Sequence, residues 1–577
     1  MTDVLFVTPN FNRTPLDESN GTALLATILQ QNGIQAEIMP FAIFGDPHCF
    51  ESFLQSAIEK ICSAGAKVIS FYTRCDTYHI VLTIAERLKR QTDAFIVFGG
   101  PQSDIAATDT MREIPYVDFI CCGEGETTVY PFFASLLRGE PDTTVPGLVY
   151  RADGNIIHNP RPAFLSDLDT LPMVDYSLWG YETRISKADA FPIDVGRGCP
   201  FSCTYCSTKT FWGRKYRLKS PQRIFTEIRL LHEQYGVTYF AFEHDMFTMN
   251  RKQVIETCQL LQTLDFPVSW RCSARIDCID NELIDIMAAS GMKSMFIGIE
   301  TGSPRMQKII SKNLNLEGIV DKLKYLHAKG ISLTTSFIYG FPQETEDDIS
   351  QTLTLIAEIA EISAITIGTY RCTFLPGTEL TTQYRDQLIP AAKPTEISNA
   401  PAMEACMDLI RSHPRVFVHM WDYPSELRAK LAHFTVFVKT WTLLQPVYQY
   451  IRTLYSDNRL LDMYFDFCEA NRVILQKNQD LPTSEQVRGI IESDNFSKQY
   501  LDTPYGDIIA DYCRMTALLY SGDLLPGKSV TDVFCFSPHE LKRGVSLQQI
   551  VKKLSVVSLA TQPDGKKTIR VRTMHKN

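Results

Sequence analysis

Short apolar runs alternate with amphipathic stretches twice along this chain, and that rhythm limits what it can fold into more than any other feature. In residues 1–140, the segments 4–8, 35–39, 67–72, 94–98 and 119–122 read as strands. Segments 21–32, 50–64 and 78–90 between them carry helical periodicity. Strands separated by single helices predict an α/β domain with a doubly wound, Rossmann-like parallel sheet, whose ligand sites lie at the carboxyl ends of the strands. The rhythm resumes over residues 191–385, with strands expected at 191–195, 238–243, 268–273, 294–300, 332–339 and 364–370, and amphipathic stretches such as 221–234 and 281–289. Six β/α units predict a partial, TIM-like parallel barrel open on one side, again with reactive groups at strand carboxyl ends.

Between these halves, residues 141–190 read as a linker. A small hairpin over 149–157 turns at Asp153-Gly154, and Pro160, Pro162 and Pro172 punctuate the loop after it. Residues 386–577 form a further, mainly helical domain, with helical periodicity over 425–454, 457–476 and 507–521 and many aromatics. A closing hairpin is expected over 555–560 and 568–572, around Pro563-Asp564-Gly565.

The 577 residues leave room for three or four domains, and 45% hydrophobic with 21% charged residues is ordinary globular composition. Sixteen cysteines sit behind an N-terminus that lacks a basic n-region, which favours reduced thiols and a cytoplasmic setting. No apolar run reaches the ~20 residues of a membrane helix. A net charge of −9 argues against a nucleic-acid footprint, although the tail from Lys542 carries nine Lys/Arg against the single acid Asp564. That tail is either a solvated edge or a seat for an acidic or peptide substrate.

The chemistry concentrates in Gly198-Cys199-Pro200-Phe201-Ser202-Cys203-Thr204-Tyr205-Cys206, which reads C-x3-C-x2-C after the first strand of the second half. Thiolates are the usual protein ligands of iron–sulfur clusters, and a cubane normally takes four. Three thiolates on one loop leave one iron open, and an open position marks a catalytic metal site, as it does for zinc. Zinc, or cysteines with no shared role, is the competing reading.

With Trp212-Gly213-Arg214 and the later strand-end motifs in order, this half resembles the radical SAM superfamily. The resemblance implies that Cys199, Cys203 and Cys206 ligate a [4Fe–4S] cluster whose open iron chelates S-adenosylmethionine. Tyr205 then lies by the adenine, Asp245 of Glu243-His244-Asp245 faces the amine, and Arg275 pairs with the carboxylate. Glu300 of Gly298-Ile299-Glu300-Thr301-Gly302 stands near the ribose, and Ile338 and Gly340 belong to a strand end that holds the adenine. Blander readings exist for several of these. For Glu300 and Arg275 it is an internal salt bridge in the barrel, Asp245 and His244 make structural hydrogen bonds, Cys121 and Cys122 are inert buried thiols, and Cys372 packs in a core rather than facing substrate.

The first half resembles the cobalamin-binding domain found upstream of many radical SAM enzymes. The resemblance rests on Ser70-Phe71-Tyr72-Thr73, Gly99-Gly100-Pro101 and Gly123-Glu124-Gly125-Glu126-Thr127. Ser70, Thr73, Arg74, Gly99, Gly100, Gly123 and Glu124 are the contacts it implies. The Asp-x-His-x-x-Gly histidine of many cobalamin proteins is missing from Asp17-Glu18-Ser19-Asn20-Gly21, which leaves Arg74 or Tyr72 to occupy the lower face of cobalt. An empty relic, or a site for another nucleotide, is the alternative.

Together the two resemblances imply a cobalamin-dependent radical SAM C-methyltransferase. It would act on an unactivated carbon of a small molecule or peptide, with a flavodoxin- or ferredoxin-like electron donor. Three alternatives share the layout: a cyclase or ring-rearranging enzyme, polar methyl transfer without radical cleavage, and a non-catalytic cobalamin-binding sensor. A methylthiotransferase places a second cysteine triad in its N-terminal domain, whereas Cys49, Cys62 and Cys75 are scattered here.

Overall fold

The computed structural model describes residues 2–11, 19–179, 190–362, 365–391, 402–443, 459–479, 483–492, 557–561 and 567–571. The expected helix at 507–521 and most of the basic tail lie outside the described residues.

The first sheet is built from β1 (Val4–Thr8), β2 (Ala36–Pro40), β3 (Val68–Tyr72), β4 (Phe95–Gly99) and β5 (Phe119–Cys121), followed by β6 (Leu148–Ala152) and β7 (Asn155–His158). Its order is β2-β1-β3-β4-β5-β6-β7. β1 to β5 are parallel, and β6 and β7 join antiparallel at one edge. The hairpin expected inside the linker therefore extends this sheet. Helices Asn20–Gln31, Phe50–Ser63 and Tyr78–Lys89 cover its faces. Strands buried on both sides, such as β1 with all five residues buried, need the continuous apolar run Val4-Leu5-Phe6-Val7 that the sequence supplies.

The second sheet comprises β8 (Phe191–Asp194), β11 (Tyr239–Glu243), β12 (Ser269–Ala274), β13 (Met292–Glu300), β14 (Ser332–Tyr339) and β15 (Ile365–Arg371). Between β8 and β11 stand two short strands, β9 (Gly196–Arg197) and β10 (Arg217–Leu218), which pair antiparallel. The six long strands are parallel in the order β15-β14-β13-β12-β11-β8, as the reading of six β/α units required. Along β12, Trp270, Cys272 and Ala274 are buried while Ser269, Arg271 and Ser273 are half-buried. Alternate residues of the strand thus pack into the apolar core on one side.

Helices Glu426–Lys430, Phe434–Leu443, Leu460–Ala470, Arg472–Lys477 and Thr483–Glu492 follow, in keeping with a helical C-terminal part. Phe434, Phe437, Tyr464 and Phe467 join the core of the second sheet, so their aromatic content is ordinary packing. A preceding segment behaves differently: Met403, Cys406, Ile410, Val416, Phe417 and Met420 complete the apolar core on one side of the first sheet. Near the C-terminus, Val557–Thr561 and Lys567–Val571 pair antiparallel as the expected hairpin.

Candidate active site

Both sheets turn their carboxyl ends toward one cavity of about 830 Å³. From the second sheet come Cys199, Cys203, Cys206, Tyr205, Asp245, Arg275 and Glu300; from the first come Ser70, Gly99, Gly100, Gly123 and Glu124. Seven expected positions of the barrel and five of the first domain thus meet in one space. Thr73, Arg74, Ile338 and Gly340 do not line it.

The cysteine loop is closed by its own stem. Arg197 of β9 lies opposite Arg217 of β10, and residues 198–216 between them carry all three cysteines. Gly198 takes φ +84°, and Gly196 is packed so closely that an added Cβ would lie 2.4 Å from the Arg217 carbonyl oxygen. All three cysteines are free. Burial pushes the Cys199 thiol up to about 11, with Cys206, Asp245 and Cys203 adding to the rise. Burial also raises Cys203, against the opposing pull of Lys312. A cationic centre that draws the protons off is the chemistry such a donor set fits, because the thiolate is the metal ligand. Among the described residues, no three His, Cys, Asp or Glu side chains are gathered as ligands of a single ion.

Around the loop, Arg275 stacks over the Phe201 ring at 4.0 Å and holds Asp277 through two bonds of 2.9 Å. Its Nη1 has no hydrogen-bond partner among the described residues. Glu300 pairs with Lys312 at 2.9 Å and accepts from Ser336 at 3.3 Å. The blander reading therefore holds for both residues, each of which sits in an internal salt bridge, Glu300 with Lys312 and Arg275 with Asp277. Glu300 also stands at φ +72°, beside a shift in the β13–β14 register, which is costly for a residue with a side chain. Burial raises the Asp245 carboxyl, and the Thr208 hydroxyl donates to it at 3.2 Å. His244 is instead buried, with its Nδ1 accepting from the Met246 amide at 2.7 Å, and burial depresses its ring to about 4. Tyr205 meets Phe341 edge-on at 5.9 Å. Gly340 gives its N–H to Glu344 and its carbonyl to Arg428, so both of its backbone groups are engaged.

On the first domain, glycine is required where the backbone approaches closely. Gly100 has φ +96°, and a Cβ there would lie 2.7 Å from the Tyr72 ring. Gly123, at φ +87°, donates its N–H to Asp104 at 2.9 Å, and Asp104 is held in turn by Arg161. Thr73 is buried, donating to the Gly99 carbonyl and accepting from the Ser103 amide, each at 2.9 Å. Arg74 turns to Asp76 at 3.1 Å, while Tyr72 faces the cavity. Cys122 is buried and Cys372 is 1% exposed, so both behave as packing residues.

Arg197, Arg217, Trp212 and Lys312 were not singled out as site residues from sequence. Lys312 closes on Glu300 from 12 positions downstream, a spacing with no regular period, and nothing in the pattern marks it. Arg197 sits in the same Gly-Arg-Gly-Cys run as the first cysteine, and that adjacency was the available signal.

Residues 193–356 match the sequence profile of the radical SAM superfamily. An uncharacterized methyltransferase of Pyrococcus horikoshii is 30% identical over 52% of this chain and 65% of its own length. An anaerobic magnesium-protoporphyrin IX monomethyl ester cyclase of Rubrivivax gelatinosus is 28% identical over 45% of this chain and 48% of its own length. The chain thus spans about half to two thirds of these curated relatives. Among solved structures, the cobalamin-dependent S-adenosylmethionine radical enzyme OxsB, with aqua-cobalamin and S-adenosylmethionine bound, shares the fold. It is 14% identical with a TM-score of 0.60, over 91% of this chain and 84% of that one.

Proposed function

We propose that this chain, whose residues 193–356 are a radical SAM domain behind a doubly wound domain, is a cobalamin-dependent radical SAM C-methyltransferase. The observation that carries the reading is the shared cavity: a three-cysteine loop from one parallel sheet faces glycine turns from another across a single space. In this reading Cys199, Cys203 and Cys206 ligate a [4Fe–4S] cluster, and Tyr205, Asp245, Arg275 and Glu300 hold S-adenosylmethionine. Ser70, Gly99, Gly100 and Gly123 admit cobalamin. Thr73, Ile338 and Gly340 support these contacts from behind through their backbone or packing, and Arg74 and Glu124 are bound to protein partners.

When bound, the cluster and cobalamin supply one-electron cleavage of S-adenosylmethionine and a transferable methyl group. The chain's own residues orient and exclude. Glycines at positive φ let the backbone approach a bulky ligand. The Arg275 Nη1 offers a donor for a carboxylate, and the buried Glu300–Lys312 pair fixes an acceptor at the end of β13. The substrate is a small molecule or peptide, and the reductant an external flavodoxin- or ferredoxin-like protein in a cytoplasmic setting. Among the described residues, no helix is long and apolar enough to cross a membrane.

The cyclase relative supports a second reading, ring formation or rearrangement on the same scaffold. Anaerobic reconstitution with iron, sulfide and hydroxocobalamin, followed by S-adenosylmethionine and a strong reductant, tests the first reading. Retained cobalamin with 5′-deoxyadenosine, lost in Cys203→Ala, supports the two-cofactor radical enzyme. Cleavage without cobalamin retention overturns the methyltransferase reading.

A further inference from the structure

We propose that Arg197 and Arg217, both gripping Glu124, are positioning residues that hold the cysteine loop in register with the first domain. The inference rests on the two-cofactor reading, since it concerns the separation of the two halves of the cavity. Glu124 belongs to the turn after β5, and the two arginines form the stem of the cysteine loop. Its carboxylate takes both arms at once: Arg197 Nη1 donates to Oε1 at 3.0 Å, and Arg217 Nη1 donates to Oε2 at 3.0 Å. Arg197 Nη2 also reaches Glu126 at 2.6 Å, and Asp194 at the end of β8 at 3.4 Å. One glutamate of one domain therefore clasps both ends of a loop belonging to the other.

Three features make this a fixed geometry rather than a surface contact. The Arg197, Arg217 and Glu124 side chains are 6%, 8% and 3% exposed. Aromatic faces cover the guanidinium groups, with Trp212 5.4 Å from Arg197 and Phe164 5.0 Å from Arg217. The turn that carries Glu124 is itself held, by the Gly123 N–H on Asp104 and by the Leu165 amide on Glu124 at 2.8 Å. A buried ion cluster adds little net stability compared with apolar packing of the same volume, because desolvation offsets attraction. What it does supply is direction, since a planar guanidinium donates to carboxylates in few orientations.

Hydrogen exchange on the unloaded full chain and dipolar electron paramagnetic resonance on the loaded one test this separately. In Glu124→Gln, altered only in the first domain, amides of residues 198–216 are expected to exchange about tenfold faster, with the β1, β3 and β14 amides unchanged. In the reconstituted protein, the distance distribution between the reduced cluster and cob(II)alamin is expected to be about twice as wide in Arg197→Met as in wild type. Wild-type exchange in the cysteine loop of Glu124→Gln overturns the proposal. So does uniformly faster exchange in both sheets, which assigns the cluster to general stability, and so does an unchanged spin–spin distance in Arg197→Met. Wild-type protein that retains no cobalamin refutes the two-cofactor reading instead, and the exchange result still decides the clasp. Should Arg197→Met fail to fold, Glu126→Gln takes its place, with the same broadening expected and an unchanged distribution again overturning the proposal.

Discussion

An added Cβ on Gly198 would lie 2.1 Å from the Lys215 carbonyl oxygen, closer than any real side chain tolerates. The residue ahead of the first cysteine thus touches the backbone that returns from the loop. Gly198→Ala also places a side chain at φ +84°, a conformation that costs about 1–2 kcal/mol before any clash. The loop is expected to open. Iron and sulfide per chain after reconstitution should fall well below wild type while far-ultraviolet circular dichroism stays the same.

Lys312→Met leaves the Glu300 carboxylate buried without its cation. Breaking one side of a buried pair costs about 3–5 kcal/mol, whereas removing both charges costs much less. The double variant Lys312→Met with Glu300→Gln should therefore unfold at a higher urea midpoint than Lys312→Met alone. Equal midpoints would mean that the two groups do not interact.

Arg428 ties the C-terminal helices to the barrel through the Gly340 carbonyl, the Cys372 carbonyl at 3.2 Å and Asp422. Arg428→Met keeps the stem and removes these bonds, and Asp422 retains Arg371 at 2.7 Å. Proteolysis confined to residues 421–430, several-fold faster than in wild type, is the expected outcome, because that stretch loses its anchor while residues 403–420 and Phe434 with Phe437 stay packed in the two cores.

Glu344 supplies a pH dependence. Burial lifts its carboxyl to about 8, although the Gly340 and Phe341 amides donate to it. Between the ordinary carboxylate value and about 8, the folded chain holds a proton that the unfolded chain has lost, so stability falls as pH rises through that window. The contribution is up to about 5 kcal/mol across it. Glu344→Gln should unfold with a flatter pH profile and gain most over wild type near pH 9 in thermal melts, where an identical slope would remove Glu344 as the cause.

The strand rhythm carried most of the fold: the expectation at 332–339 coincides with Ser332–Tyr339, and that at 4–8 with Val4–Thr8. Periodicity reports which face of a strand is buried, and burial is what builds the sheets. It is silent about where a polar side chain ends up. Arg74 follows β3 as expected but turns to Asp76, two residues on, and Glu300 closes on Lys312, 12 positions downstream. The hairpin 148–158 was legible as a hairpin, yet its place at the edge of the first sheet depends on the antiparallel register of β5 with β6, which no local pattern encodes. The cysteine spacing was legible because Cys199, Cys203 and Cys206 lie on one loop, which needs no tertiary knowledge to see. The clasp on Glu124 joins residues 73 and 93 positions apart, and only the folded chain brings them together.

The packing of residues 403–420 against the first sheet has a consequence for synthesis on the ribosome. Tyr78 meets Phe417 with ring centroids 6.0 Å apart, and Gln102 reaches the Val416 carbonyl at 3.0 Å. A nascent chain that has exposed residues 1–158 carries all seven strands and their covering helices, but the apolar surface that residues 403–420 meet stays open. At about 5–20 residues per second, translation needs some tens of seconds more before residue 420 emerges. During that interval the partly covered domain is a natural client for a holdase, and a gene truncated after the first domain should yield an aggregation-prone product.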